Sequence, residues 1–319
     1  MSHILVVERI APAGLEMLSA SHETELRLSL SRPELLTAVK EGGGWDALVV
    51  RSQTRVDAEL LAAAAPRLAV VAVASVGTDR IDLAAAADAH VTVLNAPTGS
   101  TVAAAEHTMA LMLALLRRIP AADASVRRGE WDRARYVGGE LQHRTLGIVG
   151  LGKIGREVAR RAAAFEMRVI AHDPFLGSSH ATPHVSALVA LPELLARADV
   201  VTLHVTLSPQ TRGLIGAAEI AAMKPGSVLV NVARGGLVDE AALAAALGSG
   251  HLLGAAVDVF STEPMSPDNP LRAAPNTILT PHLGASTAEA QERAGTEMAE
   301  RLLATLSALQ AQGVENAAS

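Results

Sequence analysis

The stretch Leu146-Gly-Ile-Val-Gly150-Leu-Gly152-Lys-Ile-Gly155-Arg-Glu-Val-Ala159 decides how this chain reads. An apolar run of strand character ends in glycines spaced G-x-G-x-x-G, and an amphipathic helical pattern opens on the last of them. In that context each glycine has its own task. Gly150 makes the tight turn, Gly152 lets a pyrophosphate approach the backbone with no Cβ in the way, and Gly155 lets the helix pack closely on the strand. The helix N-terminus then offers unpaired N–H groups and the positive end of its dipole to the phosphates. The next apolar run, Arg168 to His172, leads into Asp173, 18 residues after Gly155 (173 − 155). An acid at about this spacing accepts hydrogen bonds from the adenosine ribose. Pro174-Phe-Leu176 follows it and holds no arginine to neutralise a 2′-phosphate. The stretch therefore reads as a dinucleotide turn that favours NAD over NADP. The plainer reading, a glycine turn in any doubly wound sheet with an incidental Asp, lacks a reason for the acid's position.

On both sides of this turn, short apolar runs alternate with Ala/Leu-rich segments of helical period. Before it, strands are expected at His3–Val7, Thr24–Leu28, Ala47–Val50, Leu68–Val73 and Val91–Leu94. Helices fall at Pro12–Ser19, Pro33–Lys40, Asp57–Ala65 and Asp82–Ala87. After it, strands are expected near Leu146–Val149, Arg168–His172, Val200–His204, Val228–Val232, Ala255–Asp258 and Thr277–Leu279. Alternation of this kind defines an α/β fold with parallel sheets, and runs apolar along their length suit sheets covered on both faces. A long helix is expected from Thr101 to Arg118. Pro120 to His143, richer in Arg, Gly and acids, reads as an arm or loop. The last helix runs from Ser286 to about Ala308, and the tail from Gln310 reads as loosely ordered.

The chain has 319 residues, a soft prior for about two domains. Half are hydrophobic, yet only three Phe, two Trp and one Tyr are present, so Ala, Val, Leu and Ile must build the cores. A net charge of −6 with so few aromatics supplies neither the basic stripe nor the stacking platform of a nucleic-acid binder. With no cysteine, disulfides, thiolate nucleophiles and Cys-based metal sites are excluded, and no metal is called for. No apolar run approaches the roughly 20 residues that span a bilayer, and the start lacks a signal-peptide pattern. The expectation is a soluble cytoplasmic protein with a small-molecule substrate and no nucleic-acid or membrane partner.

Three polar segments follow the later strands: Asn231-Val-Ala-Arg234-Gly-Gly, Asp258-Val-Phe-Ser-Thr-Glu263-Pro and Thr280-Pro-His282-Leu-Gly. Ligands of open α/β sheets bind beyond the carboxyl ends of strands, so all three occupy ligand-facing positions. Their residue types suit hydride transfer on a 2-hydroxy or 2-oxo acid. His282 has the ordinary pKa of a general acid/base at neutral pH. Glu263 suits the other ring nitrogen, and Arg234 offers a planar fork of donors to a carboxylate. Singly, each has a plainer reading: a surface histidine among 11, a helix-start or interface arginine, a loop acid before proline. Together they point to one crevice.

With Asn95-Ala-Pro-Thr-Gly-Ser-Thr-Val-Ala-Ala-Ala-Glu-His-Thr108 upstream, this set resembles the D-2-hydroxyacid dehydrogenase family along nearly the whole chain. The resemblance implies two Rossmann-like or flavodoxin-like domains with parallel sheets. The cofactor domain, about 96–283, is inserted in a substrate domain made of 1–95 and the returning 284–319 helix. It implies NAD as cofactor, a homodimer through the 98–145 helix and arm, and catalytic roles for Arg234, Glu263 and His282. To the cofactor residues it adds Lys153, Ile154, Val232, Ala233 and Asp258, the last near the nicotinamide carboxamide. It assigns the substrate carboxylate to the backbone around Ser75, Val76 and Gly77.

Within the family the likeness is to the branch that oxidises D-3-phosphoglycerate to 3-phosphohydroxypyruvate. Arg51 and Ser52, in Arg51-Ser-Gln-Thr-Arg55, resemble its phosphate turn. Arg133, in Gly129-Glu-Trp-Asp-Arg133, resembles an arm residue that serves the neighbouring subunit's site. One departure matters: Val73 stands where that branch commonly has another arginine, with Arg80 and Arg55 the candidates to compensate, and Ser75 replaces a usual glycine. Glyoxylate or hydroxypyruvate is therefore the alternative substrate class. An NAD-sensing, corepressor-like binding protein is the alternative of another kind. No ligand-binding module is read after the last helix, so serine regulation through one is not expected.

Overall fold

The computed structural model describes residues 1–177 and 183–318. The chain divides into two compact units, Met1–Ser100 with Ser286–Ser319, and Thr101–Ala285. In chain order the first unit begins with β1 (His3–Val6), α1 (Pro12–Ser21), β2 (Glu23–Leu26), α2 (Arg32–Ala38) and β3 (Ala47–Val50). It continues with α3 (Ala58–Ala64), β4 (Val70–Val73), α4 (Leu83–Asp88) and β5 (Thr92–Asn95). The five strands form one parallel sheet in the order β2-β1-β3-β4-β5, the flavodoxin-like arrangement. Every residue of β3 and β4 is buried. The edge strand β2, Glu-Thr-Glu-Leu, is largely exposed, and its charged alternation blunts an edge open to mispairing. Helix starts are written locally: the Asp57 side chain accepts the Leu60 N–H and Asp82 accepts that of Ala85, each meeting an orphan donor of the first turn.

The second unit holds α5 (Thr101–Leu116), α6 (Ile119–Arg127), β6 (Thr145–Val149), α7 (Lys153–Ala164), β7 (Arg168–His172) and β8 (Ala187–Leu188). Then come α8 (Leu191–Arg197), β9 (Val200–Leu203), α9 (Ala217–Ala222), β10 (Val228–Asn231), α10 (Glu240–Gly248), β11 (Gly254–Val257) and β12 (Thr277–Leu279). The sheet order β12-β11-β10-β9-β6-β7-β8 is parallel throughout and reverses direction between β6 and β9. That reversal is the switch point at which doubly wound sheets bind ligands. One apolar cluster covers each sheet face, with Leu194, Leu229 and Leu243 on one side and Met112, Ile148 and Val158 on the other.

The last helix, α11 (Ala288–Ala318), belongs to the first unit. Its Met298, Ala299 and Leu302 are fully buried beside Ile4, Val6 and Val49 of the sheet. Glycines let it approach α1: a Cβ on Gly14 would lie 2.6 Å from the Gly295 carbonyl oxygen.

Three expectations change. A helix, α6, occupies the start of the segment read as an arm or loop: Arg118 turns into the left-handed region at φ 54° and Pro120 then starts a new helix on Ala-Ala-Asp-Ala. The two-residue strand β8 is too short to leave a pattern. Helix α11 runs to Ala318 rather than ending near Ala308, its extension holding three Ala and two Gln, which favour helix.

Candidate active site

The second unit assembles its candidate residues at the carboxyl ends of adjacent strands. After β6 the chain turns at Gly150, whose φ of +93° lies where a side chain is strained; a Cβ there would also sit 2.6 Å from the His204 carbonyl oxygen. A Cβ on Gly155 would lie 2.2 Å from the Gly150 oxygen, so the first turn of α7 closes onto the loop. A Cβ on Gly152 would meet nothing within 4 Å, so the backbone there faces open space. Lys153 and Ile154 open α7 beside it. Asp173 ends the neighbouring strand and reaches back to the turn. Its Oδ2 accepts the Leu151 N–H at 3.0 Å, and its Oδ1 accepts that of Phe175 at 3.0 Å. A carboxylate oxygen has a second lone pair, so a ribose hydroxyl fits the same group. A turn that glycine makes freely, an open approach and an acid at its edge match a dinucleotide's pyrophosphate and ribose.

His282 follows β12 and stands in the left-handed region at φ 56°. Its N–H donates to the Asp258 carbonyl at 2.8 Å, and its Nδ1 hydrogen-bonds Glu263 Oε2 at 2.8 Å. That bond fixes the tautomer: Nδ1–H faces the carboxylate and Nε2 is left for chemistry. The bond to Glu263 raises the His282 pKa above the usual histidine value, against burial and the nearby Arg234 charge. Burial pushes the Glu263 carboxyl up, but hydrogen bonds from His282 and the Phe260 N–H outweigh it and leave it below the usual range.

The loop after β10 carries Val232, Ala233 and Arg234. Asn231 clamps it, its amide donating to the Arg234 carbonyl at 3.0 Å and its Oδ1 accepting the Ala233 N–H at 3.1 Å. Arg234 Nη1 donates to the Ala233 carbonyl at 2.7 Å. Gly235 permits this loop to meet the next: a Cβ would fall 1.7 Å from the Phe260 oxygen.

Asp258 is fully buried. Its Oδ1 accepts Thr280 Oγ1 at 2.6 Å and the Leu283 N–H at 2.8 Å, and its Oδ2 accepts the Gly284 N–H at 2.9 Å. His107 Nε2 lies 3.3 Å from Oδ1. Burial alone would raise this carboxyl; the bonds from His107, Thr280 and the two amides hold it below the usual range. Asp258 thus grips both flanks of His282. The sequence reading missed this work, together with Thr280 and His107, although both stand in the motifs that carried the resemblance. It also missed His204, whose Nε2 lies 3.0 Å from Thr202 Oγ1 beside the glycine turn; burial lowers its pKa to about 3, so the ring is neutral.

Arg133 lies exposed before the short turn Ala134–Tyr136. The other substrate candidates lie in the first unit, also at carboxyl ends of strands. Arg51 and Ser52 follow β3, and Ser75, Val76 and Gly77 follow β4. The Ser75 hydroxyl bonds the Gly77 carbonyl at 3.1 Å and the Arg51 carbonyl at 3.3 Å, tying the two loops together. Val73 is buried within β4.

A doubly wound sheet with a dinucleotide turn and a histidine–carboxylate pair defines a nucleotide-dependent dehydrogenase fold. Residues 109–284 match the model of the D-isomer specific 2-hydroxyacid dehydrogenase NAD-binding domain, and the chain belongs to that family. It is 49% identical over 297 residues to the D-3-phosphoglycerate dehydrogenase of Mycobacterium bovis, covering 93% of this chain and 55% of that protein. The chain thus spans about half the length of such curated relatives. Among solved structures, a Thermus thermophilus protein aligns with a TM-score of 0.86 at 39% identity, covering 96% of this chain and 97% of that one. A glyoxylate reductase from Paecilomyes thermophila aligns with a TM-score of 0.86 at 32% identity, covering 94% of each.

Proposed function

We propose that the protein is an NAD-dependent dehydrogenase that interconverts D-3-phosphoglycerate and 3-phosphohydroxypyruvate. The observation that carries this reading is the 2.8 Å bond from Glu263 to His282, whose loop Asp258 holds. The second unit would hold the cofactor: the turn Gly150–Gly155 suits its pyrophosphate, Asp173 its ribose, and Val232 and Ala233 would contact it through their backbone. Bound there, NAD would supply the hydride acceptor for C2 of the hydroxy acid. His282 Nε2 takes the hydroxyl proton, and Glu263 stabilises the imidazolium that results. Arg234 anchors the substrate carboxylate and stabilises charge on the C2 oxygen. In the reverse direction the imidazolium returns the proton. In the first unit, taken by itself, the backbone N–H groups of the turn Ser75–Gly77 suit a carboxylate, and Arg51 and Ser52 suit a phosphate.

A homodimer through the 98–145 helix and arm goes with this reading. Trp131, Val137, Val126 and Ile119 are each more than half exposed, an apolar set suited to a second copy. No helix of the described residues is long and apolar enough to cross a membrane.

Steady-state kinetics with NADH test the substrate. A large kcat/KM advantage for 3-phosphohydroxypyruvate over hydroxypyruvate and glyoxylate is expected. Equal or better use of the unphosphorylated acids would replace this reading with the alternative that Val73 favours, a general 2-oxo acid reductase. Negligible turnover of all three with intact NADH binding would favour a sensor.

A further inference from the structure

A cavity of about 470 Å³ in the first unit opens among the loops that follow β1, β2 and β3. Its wall includes Arg9, Arg51, Ser52, Thr54 and Arg55. The first of these was singled out by no motif. Arg32 and Arg55, also at this wall, are engaged: Arg32 pairs with Asp57 and Glu59, and Arg55 lies 3.6 Å from Asp57. Among the described residues, no hydrogen bond or ion pair holds the guanidinium of Arg9 or Arg51.

The acid of the wall does not neutralise them by contact. Glu8 is buried, and its carboxylate accepts the backbone N–H groups of Ser52, Gln53 and Thr54 at 2.8–3.2 Å. Burial would raise its pKa, but these bonds hold it below the usual carboxylate range. The Val7 N–H donates to the Val49 carbonyl at 3.1 Å, so the ends of β1 and β3 are fixed beside each other. Glu8 therefore sets the shape of the Arg51 loop, and Arg9 extends from the next position along the chain. The Arg51 loop is in turn tied to the Ser75–Gly77 turn through the Ser75 hydroxyl.

From this geometry we infer that Arg9 is a specificity-determining residue that contacts the substrate phosphate together with Arg51. This inference rests on the function proposed above. Two guanidiniums without protein partners on one wall suit a dianionic oxygen cluster, because each charge-assisted bond is stronger than a neutral one. Arg9 supplies the second positive charge that Val73, buried in the sheet, does not. Arg80, the compensating residue considered from the sequence, is not part of this wall.

The test compares wild type, Arg9→Gln and Arg9→Lys on 3-phosphohydroxypyruvate and on hydroxypyruvate, with saturating NADH. Arg9 is exposed, so its replacement leaves the core untouched. Arg9→Gln is expected to lower kcat/KM for the phosphorylated acid by about tenfold or more, mainly through KM. Its kcat/KM for hydroxypyruvate, which lacks the phosphate, stays at the wild-type value, and Arg9→Lys recovers part of the loss. A wild-type preference that survives Arg9→Gln unchanged overturns the role of Arg9 alone. Equal loss on both substrates overturns it too, because it assigns Arg9 to something other than the phosphate. A wild type with no preference for the phosphorylated acid overturns the substrate reading itself, and the Arg9 role with it. That failure is recognised in the wild-type data before any variant is compared.

Discussion

His282 is a histidine whose neighbours settle its protonation. With Nδ1 bonded to Glu263, its pKa is raised, so the imidazolium persists above the ordinary histidine range. In the proposed reaction, reduction of the 2-oxo acid needs the protonated ring and falls as pH rises through this raised pKa. Oxidation needs the neutral ring and rises over the same interval. Glu263→Gln removes the charge that raises the pKa, so both limbs should move to lower pH in kcat/KM profiles; an unmoved profile would detach Glu263 from the titration. His282→Ala should depress turnover by about 10²-fold or more while sparing NADH binding measured by fluorescence titration. Asp173 bears on cofactor choice. Asp173→Ala should raise KM for NADH by about tenfold and erode the preference for NADH over NADPH, as expected for a lost hydrogen bond to a charged group. Wild-type preference for NADPH would defeat the ribose argument.

Among the elements, the loop from β12 to α11 depends on a carboxylate in the loop of another strand. Asp258 accepts from Thr280, Leu283 and Gly284 while fully buried. Asp258→Ala leaves those donors unpaired, at a cost of about 3 kcal/mol or more, and should lower Tm by on the order of 10 °C. Asp258→Asn keeps one acceptor and should fall between the two. Equal melting of all three proteins would show that the loop is held by other means. This network also marks how far the sequence could be read. His282, Glu263 and Arg234 stood out in the sequence because each has a residue type that the proposed chemistry requires at a strand end. The glycine turn was legible because its spacing is forced by contacts such as the 2.2 Å approach at Gly155. The grip of Asp258 was not, because hydrogen bonds between residues 22 to 26 positions apart leave no periodic trace. Glu8 gave one signal that went unused: a lone acid closing the apolar run His3–Val7.

For the whole molecule, the two sheets were legible from alternation alone, since parallel strands covered on both faces must be apolar along their length. The segment 118–145 was less so, because nothing among the described residues covers its exposed side chains. Trp131 is 81% exposed and Val137 74%. If these residues meet a second copy, Trp131→Ala combined with Val137→Asp should shift the sedimentation mass toward the monomer, whereas a wild-type monomer would remove the dimer outright. If Arg133 also serves the neighbouring subunit, its effect must act across the dimer. Arg133→Ala should be weak on 3-phosphohydroxypyruvate, and His282→Ala should be inactive on it. Co-expressed, the two variants form mixed dimers in which one site has both an intact His282 and an intact Arg133 from its neighbour. Activity of the isolated mixed dimer should then exceed the mean of the two parents. Activity equal to that mean would place Arg133 on its own subunit's site, or on none.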